Sequence, residues 1–348
     1  MDELQKINSA LEKVLPRKFT KESLLKIIGK VKYELDIEAI NKAVNEPLWD
    51  LFDRGGKRWR PILFLTIIDL LAKNPDDFID LAVVFEIIHN GTLVVDDFED
   101  SSLKRRGGET LHLKYGSDIA INAGNLIYFL PLKILDQYKE RLSQEVILKI
   151  YQVYLSEMVN LGLGQSMDIA WHRGLVDGFS VTEGEYLQMC AFKTGGLARM
   201  ACKIAAIAGG ADEKLVLALG QLGESLGVVF QIQDDILNIT ENELSKMKGL
   251  GEDITEGKIS LPVINTLNTL PKEKGERLSK ILLMHTQDKE LISEAINLIE
   301  EAGGVEKAKV TMKELFDEAI KELEPLLTGL ENKDKLLKLA HFLVERDV

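Results

Sequence analysis

The sequence predicts an all-α fold, and three observations carry the prediction. Long apolar-rich segments recur along the chain with gaps of three and four between large apolar residues, the spacing of one helix face. Strand-like alternation bounded by hairpin turns is scarce. No linker and no fixed repeat of 20–50 residues interrupts the 348 residues. In chain order, the pattern predicts helices over 62–73, 79–95, 120–138, 143–161, 184–208, 212–238, 261–268 and 289–302. The stretch Leu81 to Val95 is apolar on most faces, which implies burial inside a large bundle. The most polar stretch, 241–258, is expected to be a mobile loop. Length alone allows about two domains. The uninterrupted helical pattern instead reads as one domain over 1–348, with 1–45 as an N-terminal helical extension.

Composition narrows the function classes. Apolar residues make up 45% of the chain, enough for a large core and against intrinsic disorder. Lys and Arg number 43 against 56 Asp and Glu, a net charge of −13, which argues against nucleic-acid binding. An anionic substrate stays possible where cations are local and metal ions bridge the rest. Two cysteines, Cys190 and Cys202, exclude a disulfide framework and a cysteine zinc cluster. With no secretory signal in the sequence, a reducing cytoplasm is the expected location. No run of about 18 uncharged apolar residues exists, so no transmembrane segment is expected.

Two acidic sites stand out. In Asp96-Asp97-Phe98-Glu99-Asp100, a helix places Asp96 and Asp100 on one face about 5–6 Å apart, with Asp97 offset by one residue. Like charges this close repel unless a cation lies between them. They follow the apolar run Leu93-Val94-Val95, where unpaired charge is costly. Hard oxygen ligands of this kind suit Mg²⁺, which takes one or two carboxylates plus substrate phosphate. A lone acidic pentad more often is a solvated helix end. The second site, Asp234-Asp235-Ile236-Leu237-Asn238, repeats the geometry after another apolar helix. Facing each other, the two sites could hold several Mg²⁺ ions around one diphosphate.

The cations are clustered too. Arg54-Gly55-Gly56-Lys57-Arg58-Trp59-Arg60-Pro61 puts cations on a glycine turn, with Pro61 suited to the first position of the next helix. A helix N-terminus beside Arg and Lys is an anion site. Lys104-Arg105-Arg106-Gly107-Gly108 follows the first acidic site. Either cluster alone reads equally well as a solvated loop, but two acidic and two basic clusters together are hard to explain as surface decoration.

In this order the motifs resemble the trans-isoprenyl diphosphate synthase family over about 54–262. The matching residues are Gly55-Gly56-Lys57-Arg58-x-Arg60-Pro61, Glu86-x-x-His89-Asn90, and the first aspartate motif with Arg105-Arg106-Gly107. They continue with Gly164-Gln165-x-x-Asp168, Lys193-Thr194-Gly195-Gly196 and Phe230-Gln231-x-x-Asp234-Asp235. Gly251-x-Asp253-x-x-x-Gly257-Lys258 and the C-terminal His341 to Arg346 complete the set. Val95 to Ser101, Met167-Asp168-Ile169-x-Trp171 and Glu185-Tyr186-x-x-Met189 look closest to the geranylgeranyl diphosphate synthases. The resemblance implies helices around a deep central cavity, a homodimer, and Mg²⁺-dependent condensation of isopentenyl diphosphate with an allylic diphosphate, Mn²⁺ being a possible substitute. It makes Asp96, Asp100 and Asp234 metal ligands, with Asp97 and Asp235 second. Arg105, Lys193 and Lys258 would neutralise the leaving diphosphate. Lys57, Arg60, His89 and Arg106 would hold isopentenyl diphosphate, and Thr194 and Gln231 would turn their oxygens toward the cationic carbon. Asn238 departs from the pattern, standing where many relatives carry a third aspartate, which lowers the case for it as a ligand.

A terpene cyclase or head-to-head prenyl synthase could share the fold, but neither needs the isopentenyl pocket that residues 55–61 and Arg106 resemble. A non-catalytic synthase subunit usually loses one aspartate motif, and both are intact. His112, His172, His285 and His341 receive no role, and both cysteines read as small core residues. In the family a bulky aromatic four or five places before the first aspartate stops growth at fifteen carbons. Here Thr92 and Gly91 are small, so geranylgeranyl diphosphate or a somewhat longer product is expected.

Overall fold

The computed structural model describes residues 3–240 and 251–344. Residues 241–250 of the expected loop, and Glu345 and Arg346 of the C-terminal motif, lie outside the described residues. Within them the fold is all-α apart from one two-stranded hairpin. Internal contacts group the chain into two compact units, 1–151 with 207–210, and 152–206 with 211–348.

The first unit begins with three helices, α1 (Glu3–Val14), α2 (Lys21–Ile28) and α3 (Ile37–Ile40). Helix α1 buries Ile7, Ala10 and Leu11, one i, i+3, i+4 face. Thr20 and Ser23 form a reciprocal capping box that starts α2. A π turn over Asn41–Asn45 leads into α4 (Glu46–Asp53). Helix α5 (Trp59–Leu70) starts two residues before Pro61, so the proline sits third in the first turn, where its missing N–H still costs nothing. Helix α6 (Ile79–Glu99) is buried without a break from Leu81 to Ile88 and packs against α1, α5 and α8 (Ser117–Phe129). The rings of Phe64 and Phe85 meet 5.4 Å apart in this core. The short α7 (Leu111–Tyr115) precedes α8. The helix predicted over 120–138 is α-helical only to Phe129 and continues as a 3₁₀ segment, Leu130–Tyr138. Pro131 removes a backbone donor and crowds the carbonyl four residues back.

Helix α9 (Gln144–His172) leads into the second unit, which holds α10 (Glu183–Cys190), a π segment (Ala191–Gly195), most of α11 (Gly196–Gly209) and α12 (Glu213–Ile239). Then come α13 (Glu252–Glu256), α14 (Leu261–Leu267), α15 (Lys272–Leu283), α16 (Lys289–Glu301), α17 (Gly304–Leu323) and α18 (Lys333–Val344). Its core joins Tyr186, Val228, Ile232, Ile236, Ile264, Ile281 and Ile299. Helices α15, α17 and α18 were not expected. Each is charged on its outer face and buries a narrow stripe, such as Leu278, Ile281 and Leu282 in α15. A search for long apolar runs passes over such amphipathic helices.

Contrary to the expectation that no segment could span a membrane, three stretches among the described residues, Pro75–Glu99, Ser117–Tyr138 and Glu213–Ile239, are long and apolar enough to cross a bilayer by length and hydropathy. Of their most apolar windows 61%, 39% and 61% is buried in the structure, so much of that apolar surface serves internal packing.

Candidate active site

In the first unit the glycine turn and the second basic cluster come together. Arg58, at φ +51°, caps α5 and turns its guanidinium inward to Glu86, 2.5 Å away and 3% exposed. Its charge is therefore consumed internally. Arg54 pairs with Asp50 at 2.8 Å and donates to the carbonyls of Arg105 and Glu109 at 3.0 and 2.8 Å. This latches the turn onto a hairpin absent from the sequence reading, β1 (Lys104–Arg105) and β2 (Gly108–Glu109). Arg106 (φ +49°) and Gly107 (φ +76°) form its two-residue turn, the positive-φ pair that hairpins favour. The left-handed Arg106 is held by its own side chain, which donates to the Gly55 carbonyl and, at 3.0 Å, to Asn90 Oδ1. Asn90 in turn donates to Glu86 at 3.0 Å. Arg60 is buried and stacks over Trp59 at 4.5 Å, while Lys57 is exposed. Desolvation and the charges of Arg60, Arg106, Arg105 and Arg58 hold His89 well below the ordinary imidazole range. At neutral pH it is an uncharged partner amid cations, the arrangement of an anion site.

Asp96 and Asp97 occupy the last turn of α6 and Asp100 is its C-cap, at the negative end of the helix dipole, which favours a cation. They are not equivalent. Asp97 is 2% exposed and paired with Arg105 at 2.5 Å. Desolvation pushes its carboxyl up to about 6 against the pull of Arg105. Arg105 also lies 3.6 Å from Asp96, so it meets the aspartates directly. Asp96 and Asp100 remain half-buried. The donor set fits Mg²⁺. It is all hard carboxylate oxygen, though among the described residues no group of three or more His, Cys, Asp or Glu is placed to hold a metal ion by itself. Mg²⁺ characteristically leaves several positions to water and phosphate.

In the second unit Asp234 and Asp235 lie near the C-terminal end of α12. Asp235 is 5% exposed, and both its oxygens are taken. Tyr186 Oη donates to one at 2.6 Å and Gln231 Nε2 to the other at 2.9 Å. Burial pushes its carboxyl up to about 6. The Gln231 carbonyl accepts from the Thr194 hydroxyl at 2.8 Å. Gln231 thus links Thr194 to Asp235, and its oxygen is engaged rather than open as expected. The Thr194 oxygen, having donated its proton, keeps acceptor lone pairs. Lys193 Nζ lies 2.5 Å from Asp168 Oδ2, which gives Asp168 a definite partner. Lys258 pairs with Glu256 at 2.6 Å. Asn238 Oδ1 accepts from the Asp253 N–H at 3.0 Å, a clasp on the Gly251-to-Lys258 segment. Tyr186 was not singled out as a site residue, because its partner Asp235 lies 49 residues away in the chain.

Gly91 differs from expectation. A β-carbon there would lie 2.9 Å from Ile127 Cγ1, 3.0 Å from the Gly124 carbonyl and 3.1 Å from Tyr128 Cε1. Its small size lets α6 and α8 approach, and it opens no room for a substrate.

Comparison with known proteins agrees with the motifs. The pattern of the polyprenyl synthetase family matches residues 41–299. A geranylgeranyl pyrophosphate synthase of Macrophomina phaseolina is 35% identical over 297 residues, 84% of this chain and 87% of that one. A geranylgeranyl diphosphate synthase of Saccharolobus solfataricus is 31% identical over 323 residues, 92% and 96% of the two chains. The solved geranylgeranyl pyrophosphate synthetase of the archaeon Geoglobus acetivorans aligns with a TM-score of 0.80 at 29% identity, over 98% of each chain. Motif order, helical fold and similarity over nearly the whole length agree: the chain belongs to the polyprenyl synthetase family, with its all-α fold, and is a prenyltransferase that elongates prenyl chains.

Proposed function

We propose that the chain, acting as one synthase domain, condenses isopentenyl diphosphate head-to-tail with allylic diphosphates, giving geranylgeranyl diphosphate or a somewhat longer all-trans product and releasing diphosphate. The observation that carries this reading is the convergence of Arg60, Arg106 and neutral His89 beside the aspartate-ended α6. One cationic pocket suits the diphosphate of isopentenyl diphosphate, with Lys57 at its exposed edge. Asp96 and Asp100, and likewise Asp234, would hold Mg²⁺, which would supply charge neutralisation for the leaving diphosphate. Lys193 and Lys258, each seated on a carboxylate, add mobile positive charge as negative charge develops on the leaving group. The Thr194 oxygen offers its lone pairs to the cationic carbon.

The names of the curated relatives support the twenty-carbon product. On α9, Leu155, Val159 and Leu163 recur at i, i+4 and i+8 and are 61%, 61% and 50% exposed. This apolar stripe supports a homodimer. Two buried free thiols agree with a reducing cytoplasm as the location.

The test is diphosphate release and product mass with purified protein, farnesyl diphosphate and Mg²⁺, with and without isopentenyl diphosphate. Release should require both isopentenyl diphosphate and metal, and excess EDTA or Asp96→Ala should abolish it. Lys57→Ala should chiefly raise KM for isopentenyl diphosphate, and Lys258→Ala chiefly lower kcat. Release without isopentenyl diphosphate would point to a cyclase or phosphohydrolase and overturn the reading.

A further inference from the structure

The π segment that carries Lys193 and Thr194 is a local departure from helical register. A π turn holds one residue more than an α turn, and such bulges recur at functional sites. If Ala191–Gly195 relaxed to α-helix, Lys193 and Thr194 would swing by about 100° relative to α11, the angle of one residue. They would then leave Asp168 and Gln231.

Two kinds of contact oppose that relaxation. The first is steric. A β-carbon at Gly164 on α9 would lie 2.5 Å from the Lys193 nitrogen, and one at Gly227 on α12 would lie 2.5 Å from Gly195 Cα. Both neighbouring helices press on the segment through glycines. The second is Arg199, one turn further along and 7% exposed. Side chains on a helix lean toward its N-terminus. The Arg199 guanidinium runs back over the segment and donates to the carbonyl of its first residue, Ala191, at 3.3 Å. Its Nε and Nη2 grip Glu157 of α9 at 2.7 and 2.5 Å, a bidentate pair. Nη1 also reaches Glu224 of α12, whose own carbonyl is the atom nearest a β-carbon at Gly195, at 3.1 Å. One cation thus ties three elements together where the segment is most crowded. Glu157 is 2% exposed and is further held by Asn160 at 3.1 Å. A buried ion pair is often no more stabilising than apolar residues of the same volume. Its directed, forked geometry is what apolar packing could not reproduce.

We propose that Arg199 is a positioning residue for the condensation, fixing the π register that presents Lys193 and Thr194, with Glu157 and Glu224 as its anchors. The proposal rests on the function proposed above. It assigns Arg199 no contact with substrate.

The experiment is a double-mutant cycle on the full chain, after wild-type condensation activity has been established. An inactive wild type would overturn the functional reading itself. Arg199→Met, Thr194→Ala and the double variant are compared in kcat, in KM for both diphosphates and in melting temperature. The single Arg199→Met variant should melt below wild type, because Glu157 is left charged and buried, but assayed well below its melting temperature it should keep KM for isopentenyl diphosphate within about twofold and lose kcat by roughly tenfold or more. Arg199→Lys, lacking the fork, should recover only part of that loss. In the Thr194→Ala background the Arg199→Met change should shrink by at least about threefold, Lys193 accounting for what remains, because residues acting as one unit are not additive. Losses that multiply independently, or an Arg199→Met kcat within about twofold of wild type, would overturn the proposal. Should Arg199→Met fail to fold, Glu157→Gln takes its place in the cycle under the same criteria.

Discussion

Gly91→Ala measures the closeness of α6 and α8 directly. The added methyl would meet Ile127 Cγ1 at 2.9 Å, Tyr128 Cε1 at 3.1 Å and the backbone carbonyl of Gly124 at 3.0 Å. The two side chains can shift, but the carbonyl belongs to a helix and cannot move alone. Overpacking of this kind costs about 1–3 kcal/mol. Alanine's better helix propensity returns roughly 1 kcal/mol at most. The net loss is about 0–2 kcal/mol, and for a unit of about 150 residues it lowers the melting temperature by up to roughly 8 °C. Gly184→Ala is the control, since a β-carbon there has nothing within 4 Å. It should melt at or above wild type. Thermal melts followed by circular dichroism at pH 7.5 decide the matter. A Gly91→Ala protein stabilised as much as Gly184→Ala would refute the packing argument and reopen the space beside Gly91 as substrate cavity. On the present geometry Gly91→Phe destabilises the fold rather than cleanly shortening the product, and Thr92→Phe is the better test of chain length. A product moved toward fifteen carbons by Thr92→Phe would support chain growth along α6.

Three further outcomes are expected. Tyr186→Phe removes the donor to a buried oxygen of Asp235. It should destabilise by about 1–3 kcal/mol and lower kcat more than either KM, and unchanged melting and kinetics would show that this hydrogen bond holds nothing in place. The folded-state value of Asp97, about 6, lies above the ordinary carboxylate value, so its contribution is full at low pH and is lost as pH rises through about 6. In EDTA, Asp97→Asn should therefore gain stability relative to wild type between pH 4.5 and 7.5, by on the order of 1–3 kcal/mol, and Mg²⁺ should erase the gain; a pH-independent difference would count against it. Burial raises both cysteine thiols, Cys190 and Cys202. Neither should react with a thiol reagent at pH 8 until the protein is unfolded, and fast labelling of the native protein would show the core to be open.

What the sequence determined by itself is what depends on neighbours along the chain. Gaps of three and four placed the core helices. The i, i+4 rule put Asp96 and Asp100 on one face at the end of α6, where the structure has them. The glycine-arginine turn at 54–60 and the family motifs marked the cationic pocket. Short or weakly apolar elements were lost. A hairpin of two-residue strands has no alternation to detect, and α15 and α17 carry too few apolar residues to register as runs. Tertiary structure alone decided the pairings. Arg58 is spent on Glu86 while Arg60 stays beside His89, although both look alike in sequence. Asp97 turns to Arg105 and Asp235 to Tyr186, whereas their neighbours stay more open, Asp96 half-buried and Asp234 exposed. Gly91 serves a helix contact rather than a cavity. The physical reason is common to all of these. A helix fixes which residues share its face, but the identity of the partner across the contact comes from a segment tens of residues away, and burial then decides which charge must be neutralised inside and which is left for a ligand.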